Sequence, residues 1–406
     1  MRKPGIAITG IGTANPLGLS WEETACNLLA GRSGVRTLTR FDANRLGTRF
    51  AGQIDAIPAP PGITAADFAR LERMDQLLLW CASDALRRSG LWEKRLSLRL
   101  GIVLGNGGEW LRLWEAEGLA GGTRIRNPAL DIETSAQALR RRLELSGPVL
   151  TVAAACASGN YAFGEARRWL DAGWVDVCLA GAVDLTVSPL GLAGFGSLRA
   201  LSTRNDAPRK ASRPFDKERD GFVMAEGGAL YVLERSADAR KRGADIHAEI
   251  VGFGASSDAF HLIIPSSDAQ PAANAMSQAL ADAGISYEQV GYINAHATST
   301  PIGDPGEARA VKMVFGETAS RVPISSTKSM TGHLICAAAA VEVIACIAAF
   351  NNQAIPPTIN LDELDPECAG LCHIANEAQP RRVEFALSNS FGFGGSNTCL
   401  ALQKSE

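Results

Sequence analysis

The sequence predicts an α/β protein whose sheets are covered by helices and whose two halves, 1–246 and 247–406, are built alike. Three observations predict it. Short apolar, strand-like runs alternate with helical patterns along all 406 residues. Each half opens the same way, with an apolar run entering glycine, at 5–12 and again at 248–254. Reactive residues stand at the ends of such runs, Cys156 after 149–155 and His296 after 290–295. The repeat is weak in sequence, and no flexible linker separates the halves.

Residues 5–12 read as a strand entering a glycine turn. Their glycine spacing differs from a dinucleotide fingerprint, and no acidic residue follows at a strand end. Residues 21–30 are helical. Residues 64–90 carry an amphipathic helix with Met74, Leu77, Leu78 and Cys81 inward and Arg70 and Arg73 exposed. A strand over 100–104 enters the turn Gly105-Asn106-Gly107-Gly108. Residues 109–145 mix tryptophans, glycines and charges, with a helix expected over 134–143. The buried run 149–155 ends at Cys156, and Ser158-Gly159-Asn160 leads into a helix over 161–170. A strand over 177–180 exits at Gly181. Residues 197–221, rich in arginine, read as a surface loop, and 222–234 as a strand. In the second half the pattern predicts a helix over 272–283, a strand over 290–295 and a very apolar helix over 334–350. Connecting segments fill 361–382. A strand over 383–388 feeds the loop 389–395, and 398–402 is the closing strand.

Hydrophobic content of 46% and charged content of 20% describe a soluble globular chain. A net charge of -3 without a basic run excludes a nucleic-acid binder. Nine scattered cysteines point to reduced thiols and a cytoplasmic setting. Cys368 and Cys372 have only His373 beside them, too few ligands for zinc, so no metal is expected. No signal peptide is expected before the first strand. Glu342 interrupts the helix over 334–350, which reads as too short for a membrane span.

A cysteine at a strand-to-helix turn has a specific chemistry. The helix N-terminus carries unsatisfied N–H groups and partial positive charge, which favour thiolate over thiol. The alternative is a buried cysteine acting as a small hydrophobe. Three further stretches are rich in reactive groups: Asn294 to Asp304, containing His296, Thr298 and Thr300; Ser325 to Leu334, containing Lys328 and His333; and the loop carrying Phe391, Gly392, Phe393 and Gly394. Only five histidines exist, and two stand in small-residue turns at element ends, where catalytic groups tend to be displayed.

These stretches, with Leu201 to Asp206 and Ser212 to Gly221, closely resemble the elongating, type II branch of the β-ketoacyl-acyl-carrier-protein synthases, from Gly10 to Leu402. A Cys-His-His set separates the chain from initiating synthases, and Cys156 argues against the inactive chain-length-factor partners. The resemblance implies a thiolase-like fold, five layers in the order α-β-α-β-α, and a homodimer. It implies that Cys156 takes an acyl chain from a phosphopantetheine thioester and that malonyl-carrier protein then loses carbon dioxide and attacks it. His296 and His333 would donate to the thioester oxygen, Lys328 would orient His333, and Glu342 would support Lys328. The N–H groups of Cys156 and Phe393 would form an oxyanion hole, and Phe393 would gate the acyl pocket between Gly392 and Gly394. Phe391 would line that pocket, Thr298 and Thr300 would bind the pantetheine amides, and Asp258 would lie in a second loop. The partner is an acyl carrier protein, acidic in this family, which makes Arg199, Arg204, Arg70 and Arg73 candidate contacts. No cofactor is expected, because phosphopantetheine arrives on the carrier.

The chain departs from the family pattern at several positions. Ala297, Cys336 and Ala339 stand where glycines are usual, and residues 260–264 lack a hydroxyl near Ile263. In the divergent segment 105–145, Gly108 matches a bulky aliphatic residue of the acyl tunnel. That predicts open volume there, or filling by Trp110, Leu111 or Trp114, with Glu109 unexpected beside an apolar tunnel. General fatty acid elongation, a pathway-dedicated condensing enzyme for a polyketide or unusual acyl chain, and a non-catalytic partner subunit are the three readings; the intact catalytic set argues against the last.

Overall fold

Five strands of the first half lie in the order β3-β2-β4-β5-β1, where β1 is Ile6–Ala14, β2 Leu100–Gly105, β3 Val149–Val152, β4 Val177–Asp184 and β5 Gly227–Arg235. The second half repeats that order as β8-β7-β9-β10-β6, with β6 Ala248–Ser257, β7 Val290–Asn294, β8 Pro323–Ser325, β9 Phe385–Gly392 and β10 Ser396–Gln403. The directions repeat too. β2 is parallel to β3 and β4, while β5 is antiparallel to β4 and β1. β7 is parallel to β8 and β9, while β10 is antiparallel to β9 and β6. The halves join where β1 and β6 pair antiparallel, and with Cys372–His373 beyond β8 this makes one 11-stranded sheet. This computed structural model describes residues 5–122 and 133–405, so part of the divergent segment 105–145 lies outside the described residues.

The helices fall into three layers. On the outer face of the first half, α1 (Arg73–Arg88) packs on β1 and β5, and α2 (Ser135–Arg142) on β2 and β3. Between the halves, α3 (Ser158–Asp171) touches β2, β4 and β10. On the outer face of the second half, α4 (Gln270–Ala283) covers β6, β9 and β10, with α5 (Gly303–Phe315) beside it. The middle layer is completed by α6 (Ala338–Asn352), which touches β4 and β5 on one side and β7 and β9 on the other. The arrangement is therefore α-β-α-β-α, as expected. Because α6 is covered all round, every residue from Ala338 to Phe350 is buried, which explains its unbroken apolar composition. With the preceding turn, Ile335–Asn352 is longer than the sequence reading gave it and passes for a membrane span by length and composition only. It is 89% buried inside the fold.

Other expectations are corrected. The helix over 64–90 is two, Ala65–Ala69 and α1. The run 149–155 forms a strand only over Val149–Val152. It is half-buried, because β3 is an edge strand. Residues 197–221 are only in part a surface loop: Arg199, Arg209 and Lys217 are exposed, but 211–216 are buried. Phe215 is fully buried, and Arg213 and Arg219 are buried against carboxylates, Arg213 Nε donating to Asp216 at 2.9 Å and Arg219 Nη1 to Asp365 at 2.5 Å. Their charge is satisfied inward by partners instead of by water. Glu109 is also a structural group. It accepts from the N–H and hydroxyl of Ser135 at 2.5 and 2.7 Å, adding to the Thr134 cap at the start of α2.

Candidate active site

Strand ends from both halves meet where the sequence places its reactive groups. After β3 the chain makes a tight turn in which Ala155 takes φ 47, a strained value for a residue with a side chain, and Cys156 follows it. α3 then starts at Ser158. Cys156 is 7% exposed and lies on a cavity of about 310 Å³ together with His296, His333, Thr298, Thr300, Phe391, Gly392, Phe393 and Asp258.

His333 Nε2 lies 3.0 Å from Cys156 Sγ. The His296 ring stands edge-on to that of His333, centroids 5.4 Å apart, and the Phe391 ring centroid lies 5.7 Å from it. The sulfur and one ring nitrogen of each histidine lie within 4.8 Å of one another, a donor set that a soft metal ion could use as well as an acyl thioester.

Different elements hold each group. His296 follows β7, and its turn is held by Glu307 of α5. The carboxylate accepts from the N–H of His296 at 2.9 Å, from that of Ala297 at 2.6 Å and from Asn389 Nδ2 at 2.9 Å. Lys328 follows β8 and is buried in an ion pair with Glu342 of α6. His333 is fixed through its backbone, which donates to Val223 O at 2.7 Å and accepts from Ala225 N–H at 2.9 Å. The residue before it, Gly332, has φ 73, which favours glycine, and a Cβ there would lie a tight 3.0 Å from Ala225 Cβ.

Burial sets the charge states. It pushes the Cys156 thiol up to about 12. Lys328 and the N–H groups of Phe393 and Cys156 pull it down, and Asp184 pushes it further up. The thiolate expected from the turn before α3 is therefore not the resting form, because desolvation outweighs the nearby positive groups. Burial and Lys328 hold both histidines well below the ordinary histidine value, with His333 adding to the effect on His296. At neutral pH the resting pair is a thiol and a neutral imidazole. Burial also raises Glu342 to about 7, against the pull of Lys328.

The Phe393 loop presses on the nucleophile. A Cβ at Gly392 would sit 2.9 Å from Ala154 O and 3.1 Å from Cys156 N, so only glycine permits this approach. Phe393 packs near Phe195, centroids 6.4 Å apart. Gly394 donates to Leu262 O at 2.8 Å, and Asp258 ties the neighbouring loop by accepting from Asn397 Nδ2 at 2.6 Å. Thr298 and Thr300 face the cavity with their hydroxyls 3.2 Å apart.

Three sequence expectations fail here. Gly108 is absent from the residues that line the cavity, and a Cβ there would meet Thr186 Cγ2 at 2.4 Å, so the expected open volume does not exist. Leu111 is half-buried and Trp114 is 59% exposed, while the side chain of Trp110 lies outside the described residues. Arg73 is engaged with the buried Glu226 at 2.9 Å and with Ile54 O, so it is an internal tie. Arg204 is likewise turned back to Glu218 and Asp220. Arg199 and Arg70 are exposed, and Arg199 lines the cavity mouth. The sequence reading missed Glu307, Asn389 as its partner, and Asp184. Glu307 and Asp184 are single carboxylates in otherwise ordinary segments, and no spacing marks them.

A cavity thiol beside two imidazoles, at the joint of a duplicated five-layer fold, defines a thiolase-like acyl-transferring enzyme. The chain belongs to the β-ketoacyl synthase family: the N-terminal domain of that family matches residues 3–239 and the C-terminal domain residues 247–362. It is 40% identical to the 3-oxoacyl-[acyl-carrier-protein] synthase 2 of Coxiella burnetii, across 100% of this chain and 99% of the relative. Among solved structures, a β-ketoacyl synthase from Burkholderia phymatum superposes with a TM-score of 0.90 at 35% identity, covering 100% of both chains. A ketosynthase structure in complex with its type II polyketide acyl-carrier protein superposes with a TM-score of 0.87 at 30% identity, covering 99% of this chain and 100% of that one.

Proposed function

We propose that the enzyme condenses an acyl group held on Cys156 with malonyl-acyl-carrier protein, giving β-ketoacyl-acyl-carrier protein in fatty acid elongation. The observation that carries this reading is the 3.0 Å contact between Cys156 Sγ and His333 Nε2, with His296 beside it and the Lys328–Glu342 pair behind. In the first step Cys156 sulfur forms a bond to the thioester carbonyl, and the bond from that carbonyl to pantetheine sulfur breaks. With the thiol raised to about 12, its proton must leave as the bond forms; His333 Nε2 is placed to accept it and pass it to the departing sulfur. The N–H groups of Cys156 and Phe393 both act on the sulfur's surroundings and suit the oxyanion of this step.

Acylation frees His333 Nε2. In the neutral tautomer that carries its single proton on Nε2, reached by exchange with water once the thiol is acylated, it donates with His296 to the malonyl thioester oxygen. The bond to the malonyl carboxylate breaks and releases carbon dioxide, its electrons pass into the enolate, and the α-carbon attacks the acyl carbonyl. Cys156 sulfur leaves and takes a proton from water. Lys328 supplies positive charge from behind the histidines, with Glu342 holding it. Thr298 and Thr300 suit the pantetheine amides, and Phe393 with Asp258 suits a gate. The carrier supplies phosphopantetheine, so no other cofactor is required. Arg199 and Arg70 suit its rim contacts. The half-exposed edge strand β3 supports pairing with a second copy, and nine free cysteines support a cytoplasmic setting. The test is incubation with acyl-carrier protein and then malonyl-carrier protein, followed by intact mass and product analysis. An acyl adduct on Cys156 and a β-ketoacyl product are expected. Absence of the adduct, or product formation by Cys156→Ala, contradicts the reading.

A further inference from the structure

The turn that carries Thr298 and Thr300 is held from outside the cavity. Between the two threonines Ser299 takes φ 72, a left-handed value that is strained for a residue with a side chain, and it is fully buried. Such a conformation persists only where its surroundings over-determine it. Here the surroundings are residues 213–221. Arg213 N–H donates to Ser299 Oγ at 3.0 Å, and Gly221 N–H donates to Ser299 O at 3.0 Å. Arg219 continues the grip, its Nε donating to Thr300 O at 2.9 Å and its Nη2 to Pro301 O at 3.0 Å. From the far side Asp304 accepts from Thr300 N–H at 3.2 Å. Held in this way, Thr298 and Thr300 present their hydroxyls to the cavity as a pair.

Arg219 is the unusual member of this set. It is 3% exposed, yet it does not line the cavity. Its charge is matched by Asp365, 2.5 Å from Nη1, and by Asp304, 3.8 Å from Nε. A buried ion pair of this kind is a weak source of stability, because an apolar side chain of similar volume often serves as well. An apolar side chain cannot bond two successive carbonyls, whereas a planar guanidinium with fixed N–H directions can. We propose that Arg219 is a positioning residue for the condensing reaction: it fixes the carbonyls of Thr300 and Pro301 so that the two threonine hydroxyls meet the amide-bearing arm of the thioester. This rests on the condensing-enzyme reading. The kind of arm follows from the hydroxyls themselves. Thr300 Oγ accepts from Gly303 N–H at 3.2 Å and shares one hydrogen bond with Thr298 Oγ. The pair therefore still offers a donor and free lone pairs side by side, which suits an amide with its N–H and C=O. A thioester without amides gains nothing from the pair, and so nothing from Arg219.

The experiment compares two donors of the same acyl group: acyl-pantetheine, whose arm carries amides, and acyl-ethanethiol, which has none. Acylation of Cys156 is followed by intact mass in the wild type, Arg219→Lys and Asp365→Asn. The asparagine variant leaves Arg219 in place and weakens only the charge that anchors it, so it decides the matter if the lysine variant does not fold. The expected result is KM for acyl-pantetheine raised about tenfold in Arg219→Lys, the worth of one well-made hydrogen bond, and about threefold in Asp365→Asn. The maximal acylation rate, and KM for acyl-ethanethiol, should stay within about twofold of wild type. In a Thr298→Val/Thr300→Val background Arg219→Lys should add less than about twofold, because a residue acting through those hydroxyls has nothing left to act on. Equal rises for both donors, a full further loss in the valine background, or no rise in any folded variant would leave Arg219 a role in folding alone and overturn the proposal. If neither donor labels wild-type Cys156, the enzymatic reading itself falls; labelling of the wild type without the donor-selective loss removes only the role of Arg219.

Discussion

Replacing Glu307 by glutamine tests whether the His296 turn is held by a carboxylate. Glu307 is 3% exposed, and its two oxygens accept three hydrogen bonds, from the N–H groups of His296 and Ala297 and from Asn389 Nδ2. Burial raises its pKa, and these donors with Lys328 pull it back down. Glutamine keeps the shape but offers one oxygen and one NH₂. Whichever way the amide faces, at least one buried N–H loses its acceptor and meets another donor. A hydrogen bond to a charged group contributes about 1.5–3 kcal/mol, and the stranded donor adds a penalty of similar size, so a stability loss of about 2–4 kcal/mol is expected. The turn relieves part of this by moving, and a displacement of about 1 Å at a reacting group costs on the order of 100-fold in rate. The Cys156–His333 pair is held through Val223 and Ala225 and is independent of Glu307. Carbon dioxide release from malonyl-carrier protein should therefore fall about 100-fold, while acylation of Cys156, followed by intact mass, changes only a few-fold. Decarboxylation at the wild-type rate in a folded Glu307→Gln protein, or equal loss of both steps, would refute the reasoning.

Further outcomes follow from the charge states and the packing. With the Cys156 thiol raised to about 12, its alkylation by iodoacetamide should climb about tenfold per pH unit from pH 6 to pH 9; a plateau in that window contradicts a protonated resting thiol. Asp184 pushes Cys156 up, so Asp184→Asn should speed alkylation at fixed pH. Burial raises Asp184 itself to about 6, above its value in the unfolded chain. Its contribution to stability is thus full below the ordinary carboxylate range and is lost as pH rises to about 6, by up to about 3 kcal/mol. Urea midpoints of Asp184→Asn should be flatter than wild type between pH 4 and pH 6.5, and parallel curves would argue against it. Gly108→Ile would drive a side chain into Thr186, so the expected effect is a lower melting temperature; a stable variant with a shortened acyl-chain profile would restore the tunnel assignment. His333→Ala should lower carbon dioxide release about 100- to 1000-fold and acyl transfer about 100-fold or more, measured as separate steps, and acyl transfer at the wild-type rate would contradict His333 as the proton acceptor.

What the sequence determined by itself is local. Cys156 and His296 each stand at the end of an apolar run, beside small residues, so the chain direction displays them at strand exits, while Lys328 and His333 stand in a small-residue segment before the apolar helix. The layered α/β class follows in the same way, from alternating strand and helix periods. The tertiary structure decided what depends on partners in other elements. Glu307 reaches His296 from α5, and Arg73 is taken by Glu226, 153 residues away. Nothing in the sequence near Arg73 distinguishes it from Arg70, which stays exposed. Gly108 reads as tunnel volume until Thr186 is found against it. The protonation of Cys156 follows the same rule. The turn before α3 favours a thiolate, but the energy of a charge depends on how much water the whole fold removes, and that is not a property of any short stretch of chain.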